Sequence, residues 1–169
     1  MREIIRFAWG SSSLGDFVVA MSDKGIVALE FSAMHATMEE ALRNRFPNAE
    51  LELSQDELAD VTGILARVID NPAIDCELPL DLRGTPYEVK VWLMLREIPA
   101  GQTTTYGALA ERLHTRDPRD VTAAIANNGV AVILPCHRVI KKDGSISGYR
   151  WGVRRKRALL AREQQVTVH

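Results

Sequence analysis

The chemistry-bearing segment of this 169-residue chain is Pro-Cys-His-Arg at residues 135–138, where a thiol, an imidazole and a guanidinium follow one another. The thiolate is the nucleophilic form of cysteine, and nearby cations or an imidazole favour it. Lys141 and Lys142 add two further cations close behind. The segment therefore predicts that Cys136 is a reactive thiol, with Arg138 among the cations that favour its ionisation.

The second cysteine, Cys76, stands between Asp75 and Glu77, whose charges oppose thiolate formation. Its separation from Cys136 permits one disulfide, but nothing in the sequence indicates an oxidising compartment, which favours two free thiols. No CxxC pair or Cys/His cluster has the spacing of metal ligands, so no metal site is predicted.

Adjacent residues on a regular strand point to opposite faces, so Cys136 and His137 cannot act together there directly. They need a local turn or a bridging water, and Pro135 makes a non-regular backbone plausible. A papain-like hydrolase is disfavoured because its histidine lies far from its cysteine in sequence. The plainer alternative is a small buried cysteine that ends a core strand, with His137 as a satisfied polar neighbour.

The composition is that of a soluble globular protein, with 46% hydrophobic and 25% charged residues. No apolar run approaches the roughly 18 to 20 residues that span a bilayer, and the first twenty residues include four charged side chains. We therefore expect a cytoplasmic protein that does not contact membranes.

Charge is distributed unevenly along the chain. Residues 1–84 contain seven basic and fifteen acidic side chains, net −8, whereas residues 85–169 contain fourteen and seven, net +7. Charge fluctuates along any chain, but the functional interpretation is a basic half that meets a polyanion.

The N-terminal part reads as strands followed by helices. Predicted strands are Ile4–Ala8, Phe17–Met21 and Ile26–Phe31, with a hairpin turn at residues 23–25. Capping-box patterns at residues 37–40 and 54–57 predict two helix starts, and helically spaced apolar residues follow the second: Leu58, Val61, Leu65, Val68 and Ile69. Proline and glycine then place a boundary near residues 80–86, which divides the chain into domains 1–84 and 85–169.

The C-terminal part opens with Thr85-Pro86-Tyr87-Glu88, which supplies an N-cap, a proline at the first helical position and a box glutamate. The predicted buried face of that helix is formed by Val89, Trp92, Leu93 and Leu95. A short helix at Tyr106–Leu113, a turn at Thr115–Asp117 and a helix from Pro118 to about residue 127 suggest a helix-turn-helix. An apolar strand is predicted at Val130–Leu134 and a basic helix from Val153 to about Glu163.

These motifs together resemble the O6-alkylguanine-DNA alkyltransferase family, and above all the bacterial Ada-type C-terminal half and its stand-alone relatives. The resemblance rests on Pro-Cys-His-Arg-Val at 135–139, Asn128 eight residues before the cysteine, and Ser-Gly-Tyr-Arg-Trp-Gly at 147–152. Segments 79–85 and 98–103 also resemble the family, so the likeness extends over the whole chain.

The resemblance implies a role for each site residue. Cys136 is the implied alkyl acceptor, His137 a base acting through a water, Glu163 the residue that orients it, and Asn128 a brace for the turn. The implied substrate pocket contains Tyr106, Ile125, the main-chain oxygen of Val139, Tyr149 and Arg150. Implied DNA contacts are Tyr106, Arg119, Thr122 and Ala123, with Tyr106 crowding the 3′ phosphate and Arg119 filling the gap left by a flipped base.

Such parts have a physical rationale. A guanine O6 substituent in a stacked duplex is out of reach of a cysteine, so the nucleotide must rotate out at a cost of a few kcal/mol. An arginine at the start of the second helix can fill the vacancy, and small residues such as Ala123 let the helix backbone approach a groove. Two departures from the family pattern, Asp120 and Thr122, affect DNA contact rather than chemistry, and the spacing from Tyr106 to Arg119 is one residue shorter than in some relatives.

The expected fold is α/β (α+β): a ribonuclease H-like N-terminal domain with a small antiparallel sheet, followed by a winged-helix-like domain. The resemblance implies single-use repair of O6-alkylguanine, with O4-alkylthymine as a second candidate substrate. It also implies no cofactor, a monomer, and double-stranded DNA bound through its minor groove with the base flipped. One alternative is an alkyltransferase-like lesion-binding protein, in which the acceptor cysteine is replaced. The other is a winged-helix transcription factor, which would not explain a thiol beside His137.

Overall fold

The computed structural model describes residues 2–114, 117–146 and 148–167, with the side chains of 165–167 excluded. The predicted turn at Thr115–Asp117 therefore lies partly outside the described residues, as does Ser147 of the 147–152 motif.

A four-stranded sheet forms the N-terminal part. The strands are β1 (Glu3–Ser12), β2 (Gly15–Met21), β3 (Ile26–Phe31) and β4 (Ala49–Leu53), in the order β3-β2-β1-β4. The first three are antiparallel, as predicted, and Gly25 (φ 152°) ends the turn between β2 and β3. The expectation of a purely antiparallel sheet is wrong, because β4 pairs parallel to β1.

Two helices pack against this sheet, α1 (His35–Arg45) and α2 (Ala59–Asp70). Neither begins at its predicted capping box: Met34 and Leu58 occupy the N-cap positions, and neither helix has a side-chain cap. Residues 54–57 instead form a turn that is closed by the Leu58 N–H donating to the Ser54 carbonyl at 3.1 Å. The apolar periodicity predicted α2 more accurately than the capping-box pattern did, since Leu65, Val68 and Ile69 are buried.

The C-terminal part is mainly helical. Its helices are α3 (Pro86–Leu95), α4 (Tyr106–Arg112), α5 (Pro118–Ala126) and α6 (Val153–Thr167). The capping box of α3 is confirmed, with Glu88 N–H donating to Thr85 Oγ1 at 3.1 Å and Thr85 N–H donating to Glu88 Oε1 at 2.9 Å. The buried face of α3 includes Val91 rather than Leu93, which is 48% exposed.

The segment 130–134 is not a strand, contrary to prediction. Its backbone forms consecutive turns, and only Val130 makes an isolated parallel bridge, to Leu29 of β3. A 3₁₀ turn, Cys136–Arg138, and a two-residue strand β6 (Val139–Ile140) follow, and β6 pairs with β5 (Thr104–Thr105).

One large apolar core runs through both parts of the chain. It combines residues of the sheet and α2 with residues of α3, α4, α5 and the segment 130–139. A second, smaller core fills the other face of the sheet beneath α1. None of the helices in the described ranges is long and apolar enough to cross a membrane.

Candidate active site

The turn that leads to Cys136 is organised by the buried side chain of Asn128. Its Nδ2 donates to the Leu134 carbonyl at 3.1 Å and lies 3.2 Å from Cys136 Sγ, while its Oδ1 accepts from the Val130 N–H at 2.9 Å. One amide thus fixes both ends of the turn and places an N–H donor on the sulfur.

Two tight backbone turns within this segment keep it out of regular structure. The Ile133 N–H donates to the Ala131 carbonyl at 2.7 Å around Val132, whose φ is +67°, a strained conformation for a β-branched residue. The Cys136 N–H donates to the Leu134 carbonyl at 2.7 Å around Pro135 (φ −79°, ψ 62°). The chain therefore turns at the cysteine. Cys136 and His137 do not lie on a regular strand, where their side chains would point to opposite faces.

Cys136 lines a cavity of about 320 Å³ beneath the C-terminal end of α5. Its side chain is buried, and the residue is only 4% exposed. The lining residues are Tyr106, Thr122, Ile125, Ala126, Cys136, Gly148, Tyr149 and Arg150. The fold thus brings to one cavity six residues that sequence analysis had assigned to the site; Ala126 and Gly148 were not assigned.

His137 and Glu163 form a fully buried pair behind the thiol, with a hydrogen bond between His137 Nε2 and Glu163 Oε1. The other carboxylate oxygen of Glu163 accepts from Arg138 Nε at 2.7 Å and from the Gly101 N–H at 3.3 Å. A neutral imidazole that donates through Nε2 carries its lone pair on Nδ1. Within the described part of the chain, that Nδ1 is buried and has no hydrogen-bond partner, so it is the atom available to accept a proton.

Burial sets the resting protonation of this group. It raises the pKa of Cys136 to about 11, against the Asn128 hydrogen bond and the charge of Lys156, which act in the opposite direction. Burial also lowers the pKa of His137 although Glu163 opposes this shift. For Glu163, burial disfavours ionisation, but the hydrogen bonds from His137 and Arg138 and the charge of Arg138 hold its pKa below the usual value. At neutral pH the site therefore contains a thiol, a neutral imidazole and a carboxylate.

Arg138 does not act on the thiol as the sequence suggested. Its guanidinium donates to Glu163, to the Ile98 carbonyl at 2.6 Å and to the Pro72 carbonyl at 3.2 Å. It therefore ties the site to the segments before and after α3.

Lys156 is a site residue that sequence analysis missed. It is fully buried on α6, and its Nζ donates to the Val139 carbonyl at 2.6 Å, the oxygen that had been assigned to read the base. A carbonyl oxygen has a second lone pair, so both contacts are compatible. The available signal was its spacing: Lys156 precedes Glu163 by seven residues and shares its helix face.

The outer face of α5 presents three of the four residues assigned to DNA contact. Arg119, Thr122 and Ala123 are exposed, whereas Val121, Ala124 and Ile125 are buried. The Arg119 side chain is 90% exposed and bonded to the N-cap carboxylate of Asp117 at 2.7 Å. Arg119 therefore projects from the first turn of the helix, while Tyr106 and Thr122 reach the cavity.

The two aromatic side chains of the cavity differ in their surroundings. Burial raises the pKa of Tyr106 and, to a greater extent, the pKa of Tyr149. The Tyr149 hydroxyl is buried without a hydrogen-bond partner among the described residues. It can therefore bond a polar group that enters the cavity.

Cys76 and Cys136 are both free, as predicted. Burial raises the pKa of Cys76 as well, and this thiol lies outside the cavity that contains Cys136. In the described ranges, no group of three or more histidine, cysteine or acidic side chains is placed to hold a metal ion.

Fold and site together define a protein in which a helix pair adjoins a cavity with a buried cysteine and a His-Glu pair. Residues 86–165 match the family model described as "6-O-methylguanine DNA methyltransferase, DNA binding domain". The inducible methylated-DNA–protein-cysteine methyltransferase of Bacillus subtilis is 33% identical over 156 residues, which cover 90% of this chain and 86% of that protein. The chain belongs to the methylated-DNA–protein-cysteine methyltransferase family.

Two other similarities agree with this assignment. The bifunctional transcriptional activator/DNA repair enzyme Ada of Escherichia coli is 41% identical over 95% of this chain. The chain spans about half the length, 46%, of Ada and of the Salmonella typhimurium regulatory protein ada. The crystal structure of Mycobacterium tuberculosis OGT in complex with DNA superposes with a TM-score of 0.75 at 28% identity, over 95% of this chain and 93% of that one.

Proposed function

We propose that this protein repairs DNA by moving an alkyl group from O6 of guanine to Cys136 Sγ, once per molecule and without a cofactor. The observation that carries the proposal is the position of Cys136 in the wall of a cavity of about 320 Å³, next to a buried neutral imidazole held by Glu163. Relatives of similar sequence carry the name of this reaction.

The chemistry follows from the resting protonation. In the proposed reaction a water carries the thiol proton to His137 Nδ1, and Glu163 stabilises the imidazolium that forms. Sγ then attacks the alkyl carbon, the S–C bond forms and the C–O6 bond breaks, with its electron pair moving onto guanine. The imidazolium returns its proton through water to the guanine, which leaves neutral. The resulting thioether is stable, so the protein is consumed.

Access to the cavity requires a nucleotide that has left the duplex. In the proposed complex α5 lies in the minor groove, Arg119 occupies the vacated position and Tyr106 contacts the rotated nucleotide. The exposed small residue Ala123 on the same face suits close approach. Asp120 is also exposed there, and its charge disfavours contact with phosphates.

Intact-mass measurement after incubation with an O6-methylguanine duplex tests the proposal. We expect a gain of one methyl group on the peptide that contains Cys136. The Cys136→Ala variant should gain none, and Cys76→Ala, which removes the other thiol, should gain one. Tight binding to the lesion without any gain of mass would favour the alternative of a lesion-binding protein.

A further inference from the structure

A buried carboxylate of the N-terminal sheet binds two arginines, one of which lines the cavity that contains Cys136. Glu30 of β3 is 4% exposed. Its Oε2 accepts from Arg45 Nη1 at 3.0 Å and its Oε1 accepts from Arg150 Nε at 3.0 Å. Two guanidiniums share one carboxylate, so the cluster keeps a net positive charge.

The Arg150 side of this cluster is part of the cavity wall. Besides Glu30, its guanidinium contacts the Ala126 carbonyl at 3.4 Å, at the C-terminal end of α5, and lies 5.7 Å from the centre of the Trp151 ring. Its charge is also among those that favour the ionised form of Cys136. Arg150 thus contacts the sheet through Glu30, the C-terminal end of α5 and the cavity.

The Arg45 side of the cluster covers the turn before the nucleophile. A Cβ atom added to Gly129 would lie 1.8 Å from Arg45 Nη2, so the guanidinium packs directly on this glycine. The neighbour of Glu30, Leu29, holds the same turn through its backbone: its N–H donates to the Gly129 carbonyl at 2.9 Å, and its carbonyl accepts from the Ala131 N–H at 2.8 Å. Consecutive residues of β3 therefore contact both the turn and the pocket wall.

We propose that Glu30 is a positioning residue for alkyl transfer, which holds the Arg150 guanidinium at the cavity wall where negative charge develops on the departing guanine. The inference rests on the function proposed above. As the C–O6 bond breaks, electron density moves onto the base, and a fixed cation stabilises that density without reorganisation. A long arginine side chain that is 37% exposed would otherwise sample many rotamers. The N-terminal sheet thereby contributes to the reaction rather than to folding alone.

Single-turnover methyl transfer from an O6-methylguanine duplex tests this role in Glu30→Gln, Arg150→Met and the double variant. We expect each single variant to slow transfer by about tenfold, as expected for loss of one charge-assisted contact in the transition state. The double variant should be no slower than Arg150→Met alone if Glu30 acts on transfer through Arg150. A further loss would mean that Glu30 acts through Arg45 and the turn at Gly129 instead. The matched control is Glu57→Gln, which breaks the exposed 3.2 Å pair of Glu57 with Arg6 and should transfer at the wild-type rate.

A wild-type rate in folded Glu30→Gln, or losses that multiply in the double variant, would overturn the proposal. Should Glu30→Gln not fold, Glu30→Asp keeps the negative charge and withdraws it by one methylene. A slower rate in folded Glu30→Asp supports positioning, and a wild-type rate refutes it. Failure of the wild-type protein itself to accept a methyl group would instead defeat the proposed function.

Discussion

Replacing Asn128 with alanine removes the amide that braces the turn before Cys136, and two buried backbone groups lose a hydrogen bond. The Val130 N–H loses its acceptor in a buried position, at a cost of about 1–3 kcal/mol. Loss of the hydrogen bond to the Leu134 carbonyl costs less free energy, because that oxygen still accepts from the Cys136 N–H at 2.7 Å. Together with the missing amide volume, we expect a loss of roughly 2–4 kcal/mol in the free energy of unfolding.

The same change should slow alkyl transfer strongly. The sulfur loses its N–H donor at 3.2 Å, and the strained turn around Val132 loses its brace. A nucleophile that is displaced by about 1 Å loses roughly 10²-fold in rate. Urea unfolding measures the first effect, and single-turnover transfer to the folded protein measures the second.

Asn127 provides the matched control one residue earlier. It is exposed, and its Nδ2 donates to Glu88 Oε2 at 2.8 Å. Asn127→Ala should change stability by only about 0.5 kcal/mol, as surface substitutions do. If Asn128→Ala loses no more stability or activity than Asn127→Ala, the bracing role derived from the geometry is refuted.

Because burial holds the folded pKa of Cys136 near 11, above the ordinary 9.0, its neutral thiol stabilises the fold below pH 9. That contribution should disappear between pH 9 and 11, which urea unfolding of wild type against Cys136→Ala would reveal as a difference in slope. Glu163→Gln should lower stability by roughly 3–5 kcal/mol, since it leaves Arg138 buried without its counterion; a small change in urea midpoint would contradict this. Arg119→Ala should slow methyl transfer from duplex DNA far more than transfer from free O6-benzylguanine, and equal losses on both substrates would refute its role in the duplex.

Much of the fold could be read from local patterns. The first three strands, the periodicity of α2 and the capping box of α3 depend on neighbouring residues, which the sequence displays. The strand β4 was missed because its partner, β1, is distant in sequence and the pairing is parallel. The apolar run at 130–134 was misread as a strand because its backbone bonds to Asn128, to β3 and to itself.

The candidate site likewise combines residues that the sequence predicts with residues that only the folded structure reveals. Cys136 and His137 are neighbours with evident chemistry, and the resemblance supplied residues that the fold brings to one cavity. Glu30 was not predicted, because its partner Arg150 lies 120 positions away. Lys156 looked like one basic residue among several on a helix, and only packing shows that it is fully buried.

The hydrogen bonds between Leu29 and the turn at 129–131 also affect how the protein unfolds. Separating the sheet from the helical part would strip hydrogen bonds from the turn that carries the nucleophile and expose the shared core. Neither part can then melt without the other, so calorimetry should record one transition with equal calorimetric and van't Hoff enthalpies. A fragment that begins at residue 85 would retain Cys136 but lose the hydrogen bonds from β3 that hold the turn before this thiol.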